Sequence, residues 1–259
     1  MTALAVEGLS VRYGSRRHDA PAVDTVTLEV SAGGSLGVVG ESGSGKSTLA
    51  RAMVGLLPSC AGRIVLDGRP VGPGRAELAR LRSAVQLVFQ DPSSSMNPRM
   101  RIGDAIMEAV LANGRTTSAA ARARTAELLD LVSLDASVAV RLPVSLSGGQ
   151  CQRAAIARAL ATSPRFLIAD EITSALDVSV QGSVLNVLRD VQRELGIGLM
   201  FISHNLPVVR YMSERIAVMF AGRVVESGPT DALIAAPQHP YTRELLAAEN
   251  PGMLRVGRP

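Results

Sequence analysis

A glycine-rich motif between an apolar run and an amphipathic segment limits what this chain can fold into. The residues Gly40-Glu41-Ser42-Gly43-Ser44-Gly45-Lys46-Ser47 match the pattern GxxxxGK[ST] at every fixed position. They follow Leu36–Val39, a predicted buried strand, and open a predicted helix over Lys46–Leu57 that Pro58 ends. A strand–loop–helix unit of this kind wraps backbone N–H groups around phosphate oxygens, and the helix N-terminus adds partial positive charge. The sequence therefore predicts a phosphate-binding loop in an α/β fold.

Lysine usage points to the same segment. Lys46 is the only lysine among the 27 lysine and arginine residues of the chain. This position therefore needs a compact ammonium group, which a planar guanidinium group cannot replace. We therefore predict that Lys46 reaches the β- and γ-phosphates of ATP and that the Ser47 hydroxyl binds Mg²⁺. The predicted nucleotide-binding residues here are Gly40, Glu41, Ser42, Gly43, Ser44, Gly45, Lys46, Ser47 and Thr48.

Two acidic residues follow another apolar run. Phe166–Ala169 reads as a buried strand that ends in Asp170 and Glu171. Because adjacent strand residues point to opposite sides, Asp170 can face Mg²⁺ while Glu171 addresses a water beside the γ-phosphate. This pair predicts ATP hydrolysis, with Asp170 as a metal ligand and Glu171 as the general base or water-orienting group.

A second glycine-rich helix start lies at Leu146–Gln150. Ser147 and Gln150 have the spacing of a capping box, which by itself explains a helix N-terminus. A cap does not call for Gly148 and Gly149, which lower helix stability but let phosphate approach the backbone closely. Since the first loop already serves the chain's own nucleotide, we predict that this second start binds a nucleotide held by another subunit.

Composition excludes several function classes. The net charge of +4 could suggest nucleic acid, but the basic residues are spread without a dense block, so we predict no nucleic-acid partner. No apolar run has the length of a membrane span, and the N-terminus lacks a signal-peptide pattern. We therefore expect a cytoplasmic chain unless a partner holds it at a membrane. Cys60 and Cys151 are too few and too far apart to predict a disulfide framework or a cysteine metal site.

Strand and helix patterns alternate along the chain, which favours a largely parallel α/β sheet. We predict one domain over residues 1–259, with a β-rich core at 1–91 and 155–230, an inserted helical subdomain at 92–154 and a short tail at 231–259. The other predicted strands are Leu4–Val11, Val26–Val30, Ile64–Leu66, Val85–Phe89, Leu199–Ile202, Ile216–Phe220 and Arg223–Glu226. The other predicted helices are Ile102–Leu111, Ala119–Val132, Gln150–Thr162 and Val178–Leu195.

The order of these motifs resembles a known family. LSGGQ at 146–150, after a phosphate-binding loop and before the Asp-Glu strand, resembles the nucleotide-binding domain of ABC transporters over residues 4 to 230. The resemblance implies a P-loop NTPase (RecA-like) core with an N-terminal antiparallel β subdomain and an inserted α-helical subdomain. It also implies that two subunits sandwich ATP, with Ser147, Gly148, Gly149 and Gln150 of one closing on the nucleotide of the other.

Further site residues follow from this resemblance. Gln90 matches the Q-loop glutamine that contacts Mg²⁺ or the attacking water, and Ser174 to Asp177 matches the D-loop that links the two sites. His204 matches the switch histidine at the γ-phosphate, and Tyr13 matches the aromatic residue that stacks on adenine. The implied catalytic residues are Lys46, Gln90, Glu171 and His204, and the implied metal ligands are Ser47, Gln90 and Asp170. Three positions depart from the family pattern, namely Ile172 for a proline, Cys151 for a basic residue and Asn205 for an acid.

A narrower resemblance concerns the importers of di- and oligopeptides and nickel, in their F-type ATPase subunit. It rests on Phe89–Pro92, Met96–Arg99, Ser174–Val180 and His239–Leu245. It implies a second ABC ATPase subunit, identical or homologous, two transmembrane permeases and an extracytoplasmic substrate-binding protein. The chain would then lie on the cytoplasmic face of the membrane, with a permease helix received near Gln90.

Two other functions stay open at this point, as do the transported substrate and the choice between homodimer and heterodimer. One alternative is a soluble ABC-type ATPase that acts on nucleic acid or ribosomes, although the chain lacks the tandem domains, coiled coils or zinc insertions common there. The other is a regulatory partner that binds ATP without turnover, which the presence of Glu171 and His204 disfavours.

Overall fold

A computed structural model describes residues 3–13, 20–112, 114 and 116–249 of the chain. Residues 250–259 of the predicted tail therefore lie outside the described residues. The strands are β1 (Ala3–Val11), β2 (Val23–Ser31), β3 (Ser35–Val39), β4 (Ala61–Leu66), β5 (Arg69–Pro70), β6 (Val85–Val88), β7 (Phe166–Asp170), β8 (Gly198–Ile202), β9 (Arg215–Phe220) and β10 (Arg223–Pro229).

Helices follow most of these strands. They are α1 (Lys46–Met53), α2 (Arg75–Ala84), α3 (Pro92–Ser95), α4 (Ile102–Ala112), α5 (Ser118–Leu131), α6 (Gly148–Leu160), α7 (Val178–Leu195), α8 (Leu206–Met212), α9 (Thr230–Ala235) and α10 (Pro240–Glu249). Short 3-10 helices lie at Ala136–Val140 and Pro143–Ser145. In the described part of the chain, no helix combines the length and the apolar composition that crossing a bilayer requires.

The first compact unit comprises Met1–Gly72 and Met200–Pro259. Its antiparallel sheet has the order β2-β1-β4-β5, as expected for an N-terminal antiparallel β subdomain. In its other sheet β3 pairs in parallel with β9, and β9 pairs antiparallel with β10. Every residue of β3 is buried, which explains why its sequence is a continuous apolar run rather than an alternating one.

The second compact unit comprises Pro73–Leu199. Its strands β6 and β7 pair in parallel, and β7 is buried along its whole length. Helix α7 buries a stripe at helical spacing and ends at Gly196, whose φ is 61°. The stripe contains Val184, Leu185, Leu188 and Val191.

Two of the differences from the sequence prediction have a physical reason that the structure shows. Helix α1 ends at Met53 rather than at Leu57, because Gly55 has a φ of 70° and its N–H bonds to the Ala52 carbonyl, which closes the helix. Helix α2 was not predicted. Of its ten residues only Leu81 and Ala84 are buried, and three are arginines. A helix with so little apolar surface has a weak periodic signal.

Candidate functional site

The phosphate-binding loop (Gly40–Thr48) connects β3 to α1 in the first unit. Lys46 is only 4% exposed, so its ammonium group needs acceptors inside the protein. It donates hydrogen bonds of 2.7 Å to the carbonyl oxygens of Gly40 and Glu41, and one of 3.4 Å to Ser44 Oγ. The loop is therefore folded around the lysine that the sequence singled out.

Helix α1 starts from a backbone conformation that requires glycine. Gly45 stands at the N-cap with a φ of 102°, and a Cβ there would lie 2.3 Å from the Ala22 carbonyl oxygen. Within the described residues, no side chain caps this helix. Many helices begin with a Ser, Thr, Asp or Asn residue whose side chain caps the first N–H groups. The start of α1 has no such cap, which is typical of helix N-termini that bind phosphate.

Tyr13 lies beside the first turn of α1, as the prediction of an adenine-stacking residue needs. Its hydroxyl oxygen is 3.1 Å from Thr48 Oγ1, and 51% of Tyr13 is exposed while Thr48 is buried. The structure therefore brings together two residues that the sequence placed in one site. A half-exposed ring fixed at its hydroxyl end can offer a flat apolar face to a purine base.

Tyr241 is a neighbour of the loop that site prediction from the sequence missed. The Glu41 N–H donates a hydrogen bond of 2.9 Å to the Tyr241 hydroxyl, 200 residues further along the chain. Tyr241 is buried, and its ring centroid lies 4.3 Å from that of Phe220. Burial raises the pKa of the Tyr241 hydroxyl, more than the Glu41 hydrogen bond lowers it. The segment His239–Leu245 served only as a family marker in the sequence, and no local signal indicates this contact.

His204 lies exposed in the loop between β8 and α8. The preceding residue, Ser203, donates its N–H to the Val38 carbonyl at 3.2 Å, near the end of the strand that leads into the phosphate-binding loop. Asn205 caps α8, since its side chain accepts the Val208 N–H at 3.1 Å. The departure from an acidic residue at 205 thus keeps a good helix cap.

In the second unit, Asp170 ends β7 with 3% exposure, whereas Glu171 lies beyond the strand. The prediction that strand alternation separates the two carboxylates is therefore wrong for Glu171, which has a left-handed φ of 48°. That conformation is unfavourable for a residue with a Cβ and is found mainly where the surrounding structure enforces it, often at functional sites. Ile172, in place of the family's proline, is 1% exposed and belongs to the core.

A short hydrogen-bonded chain joins Gln90 to Glu171. Gln90 Nε2 donates to Ser174 Oγ at 3.2 Å, and Ser174 Oγ donates to the Glu171 carbonyl at 2.9 Å. The structure thus connects the side chains of the predicted Q-loop glutamine and of the first D-loop residue to the backbone of Glu171. Asp177 is exposed at the N-cap of α7, where its side chain makes no capping hydrogen bond.

The signature segment (Leu146–Gln150) forms a complete capping box. Ser147 Oγ accepts the Gln150 N–H at 3.3 Å, and Gln150 Oε1 accepts the Ser147 N–H at 3.1 Å. Gly149 is buried, and a Cβ there would lie 2.4 Å from Val180 Cγ1, so helix packing alone requires this glycine. Gly148 is exposed, in keeping with the predicted phosphate contact. Cys151, which stands in place of the family's basic residue, is 3% exposed and belongs to the core.

A crevice of about 510 Å³ lies elsewhere in the first unit, and its lining contains none of the predicted nucleotide-binding residues. Glu7, Glu29 and Arg215 are its charged lining residues. Two carboxylates against one guanidinium disfavour a polyphosphate. The candidate nucleotide site is therefore the phosphate-binding loop and not this crevice.

Comparison with known proteins agrees with these motifs. A family profile described as ABC transporter matches residues 23–174. A Brucella abortus protein named as a peptide import ATP-binding protein is 51% identical over 228 residues, which are 87% of this chain and 68% of that protein. A Brucella ovis protein with a name of the same kind is 44% identical over 246 residues, which are 95% of this chain and 78% of that protein.

Solved structures give the same result for the fold. The cbiO1 protein from Clostridium perfringens, part of the ABC transporter complex cbiONQ, has a TM-score of 0.80 at 28% identity and covers 96% of this chain and 95% of its own. An ATP-binding cassette solved as a dimer in a post-hydrolysis state with ADP and Pi has a TM-score of 0.78 at 27% identity, over 88% of this chain and 98% of its own. The predicted α/β fold class and the predicted family resemblance are confirmed.

Proposed function

Because this chain belongs to the ABC transporter family, we propose that it is the ATP-hydrolysing subunit that powers a peptide importer. The observation that carries the proposal is the buried Lys46 ammonium, held at 2.7 Å by two carbonyl groups of a loop that opens into α1 without a side-chain cap. Peptide as cargo rests on the names of the Brucella relatives. Nickel and metal chelates are the competing cargoes.

The first unit binds the nucleotide in this proposal. Tyr13 stacks on adenine, the N–H groups of Gly40–Thr48 surround the phosphates, and Lys46 contacts the β- and γ-phosphates. His204, exposed at the end of the strand-to-helix loop, contacts the γ-phosphate. Each of these groups stabilises negative charge or orients the substrate without chemical change of its own.

Oxygen donors suited to Mg²⁺ are present in both units. Mg²⁺ prefers carboxylate, hydroxyl and amide oxygens. Ser47 in the first unit offers a half-buried hydroxyl, and in the second unit Asp170 offers a buried carboxylate and Gln90 an exposed amide. When bound with ATP, the ion neutralises charge that develops on the phosphoryl oxygens.

Glu171 orients or deprotonates the attacking water. The hydrogen bonds from Gln90 through Ser174 to the Glu171 carbonyl support this role, because they fix the backbone from which the carboxylate projects. Ser147–Gln150 closes on ATP held by a second ATPase subunit. Hydrolysis is then gated by dimer closure, which completes the site and excludes bulk water.

The proposed partners are a second ABC ATPase subunit, two transmembrane permeases and, indirectly, an extracytoplasmic substrate-binding protein. These place the chain at the cytoplasmic face of a membrane. The support is that cbiO1 is part of a transporter complex and that another structural neighbour is a dimer. The alternative, an ABC-type ATPase that acts on nucleic acid or ribosomes, has no counterpart among the relatives described above, which are named for import.

The test compares Mg²⁺-dependent ATPase rates of wild type and Glu171→Gln, with ATP-dependent dimerisation followed by light scattering. We expect Glu171→Gln to lose hydrolysis by about a hundredfold or more and to accumulate as a dimer with ATP, because binding survives while water activation is lost. Glu194→Gln is the matched control, since Glu194 is exposed on α7 in the same unit.

The outcomes separate the parts of the proposal. A wild type that does not bind Mg-ATP would refute it entirely. A wild type that binds but turns over only when co-purified with a different ATPase subunit would identify a heterodimer. Equal rates for wild type and Glu171→Gln would remove Glu171 from its proposed role.

A further inference from the structure

We propose that Tyr241 is a positioning residue of the phosphate-binding loop, whose hydroxyl fixes the Gly40–Glu41 peptide that in turn holds Lys46. The inference rests on the proposed function, since it concerns how the loop is prepared for ATP. It assigns a role in nucleotide binding to a side chain that comes 195 residues after Lys46 in the sequence.

One peptide group makes both of the hydrogen bonds concerned. The Glu41 N–H donates to Tyr241 Oη at 2.9 Å, and the Gly40 C=O accepts from Lys46 Nζ at 2.7 Å. These two groups belong to one planar amide, so the orientation of one fixes the orientation of the other. A hydrogen bond at the N–H end also polarises the carbonyl and strengthens its bond to the ammonium. Tyr241 therefore acts on Lys46 through a single peptide plane.

The tyrosine ring is itself held firmly. Tyr241 is 6% exposed, and its ring packs against Phe220, the last residue of β9, with a centroid distance of 4.3 Å. The Tyr241 N–H donates to His239 Nδ1 at 3.2 Å, which satisfies a backbone donor in the first turn of α10. Side chain and backbone of Tyr241 are thus both fixed.

Glu226 in β10 anchors the segment that carries the ring. Its carboxylate accepts the N–H groups of Gln238 at 2.9 Å and His239 at 3.0 Å. Contacts therefore run from β10 through Glu226 and His239 to Tyr241, and from its hydroxyl to Glu41. A role limited to packing would need only the ring, whereas the hydroxyl is the part that meets the loop.

The test uses Tyr241→Phe, which keeps the ring and removes the hydroxyl. We expect its Kd for Mg-ATP to rise about five- to tenfold, the size that one net hydrogen bond gives. We also expect faster hydrogen exchange of the Glu41 amide, measured by NMR on protein labelled with ¹⁵N-glutamate. Tyr211→Phe is the matched control, because Tyr211 is a half-exposed tyrosine of α8 in the same unit, and it should change neither quantity.

Tyr241→Leu separates the hydroxyl from the ring. If Tyr241→Phe binds Mg-ATP like wild type and only Tyr241→Leu is impaired, Tyr241 is a packing residue and the inference is wrong, while the proposed function stands. If wild type itself does not bind Mg-ATP, the proposed function fails and with it the role in ATP binding, although Glu41 exchange still tests the contact. Should Tyr241→Phe not fold, 3-fluorotyrosine at 241 weakens the acceptor in the folded protein and must give the same two changes.

Discussion

The phosphate-binding loop and the signature segment are both glycine-rich helix starts, and they are built in different ways. Helix α1 follows Gly45, in a left-handed conformation with no side-chain cap among the described residues. Helix α6 follows Ser147, in extended conformation with a complete capping box. The loop also encloses a buried ammonium group, whereas the signature segment carries no charged residue.

The difference shows that glycine has distinct purposes in the two segments. Gly45 is required by its own backbone angles and by the nearby Ala22 carbonyl. Gly149 is required because a Val180 methyl group occupies the place of a Cβ. A loop of the first kind has no side-chain cap at its helix start, while in the second kind side chains accept the N–H groups of Ser147 and Gln150, and Gly148 stays exposed. Similar composition therefore does not imply the same relation to phosphate.

The largest effect that would sharpen this comparison is expected at Lys46. Lys46→Ala should reduce Mg-ATP affinity by about a hundredfold or more, because the charge on the phosphates loses its only lysine partner in a largely buried site. The measurement is titration calorimetry with Mg-ATP. Arg51→Ala, which removes a cation from the exposed face of the same helix, should bind normally. An equal loss in both variants would mean that only general positive charge matters.

The second largest effect is expected at Gly149. Gly149→Ala should lower the free energy of unfolding by about 1–2 kcal/mol, because overpacking against Val180 outweighs the better helix propensity of alanine. Urea unfolding measures this change. Gly148→Ala is the matched variant, since its added methyl meets only the movable end of Leu176, at 2.9 Å. The double variant Gly149→Ala with Val180→Ala should regain part of the loss, and no recovery would contradict the packing explanation.

The sequence predicts the fold well where local signals agree. Helix α7 occupies the predicted residues Val178–Leu195, because an apolar stripe of helical period ends at a glycine. Helix α1 was predicted too long, although Gly55 was a readable stop signal. Helix α2 was missed, since its arginine-rich sequence buries few apolar residues.

In the candidate site, too, contacts within one motif differ from contacts between residues far apart in the sequence. The hydrogen bonds of Lys46 lie within the loop that the motif identifies, although the sequence predicted phosphates, and not the Gly40 and Glu41 carbonyl oxygens, as its partners. The contact between Glu41 and Tyr241 spans 200 residues, and the place of Val180 beside Gly149 depends on how two helices pack. Such contacts are set by tertiary packing and carry no local pattern.

A smaller effect is expected from the cap of α6. Ser147→Ala should lower the free energy of unfolding by about 1 kcal/mol, because the Gln150 N–H loses its acceptor. The matched control is Ser183→Ala, in the exposed middle of α7, where alanine should be neutral or slightly stabilising in urea unfolding. If both variants lower the free energy of unfolding equally, the loss of any serine hydroxyl explains the effect, and the cap of α6 does not.

The smallest effect is a difference in pH dependence between the Tyr241 segment, which contacts the phosphate-binding loop, and the cap of α6 in the signature segment. Burial alone would raise the pKa of Glu226, but the hydrogen bonds from the N–H groups of Gln238 and His239 act against it, and the pKa lies below its ordinary value of 4.5. Its contribution to stability is therefore full above pH 4.5 and is lost as the pH falls through the lowered value. The destabilisation caused by Glu226→Gln should shrink between pH 7 and about pH 3.5.

The cap of α6 supplies the internal control for this pH dependence. Ser147 and Gln150 carry no ionisable group, so the destabilisation by Ser147→Ala should stay constant over the same pH range. Urea unfolding of wild type and both variants at stepped pH measures the two differences. If the Glu226→Gln difference does not change with pH, the carboxylate supports the Tyr241 segment through its shape rather than its charge. A pH-dependent Ser147→Ala difference would instead mean that acid loosens both regions together, and the contrast between them would not hold.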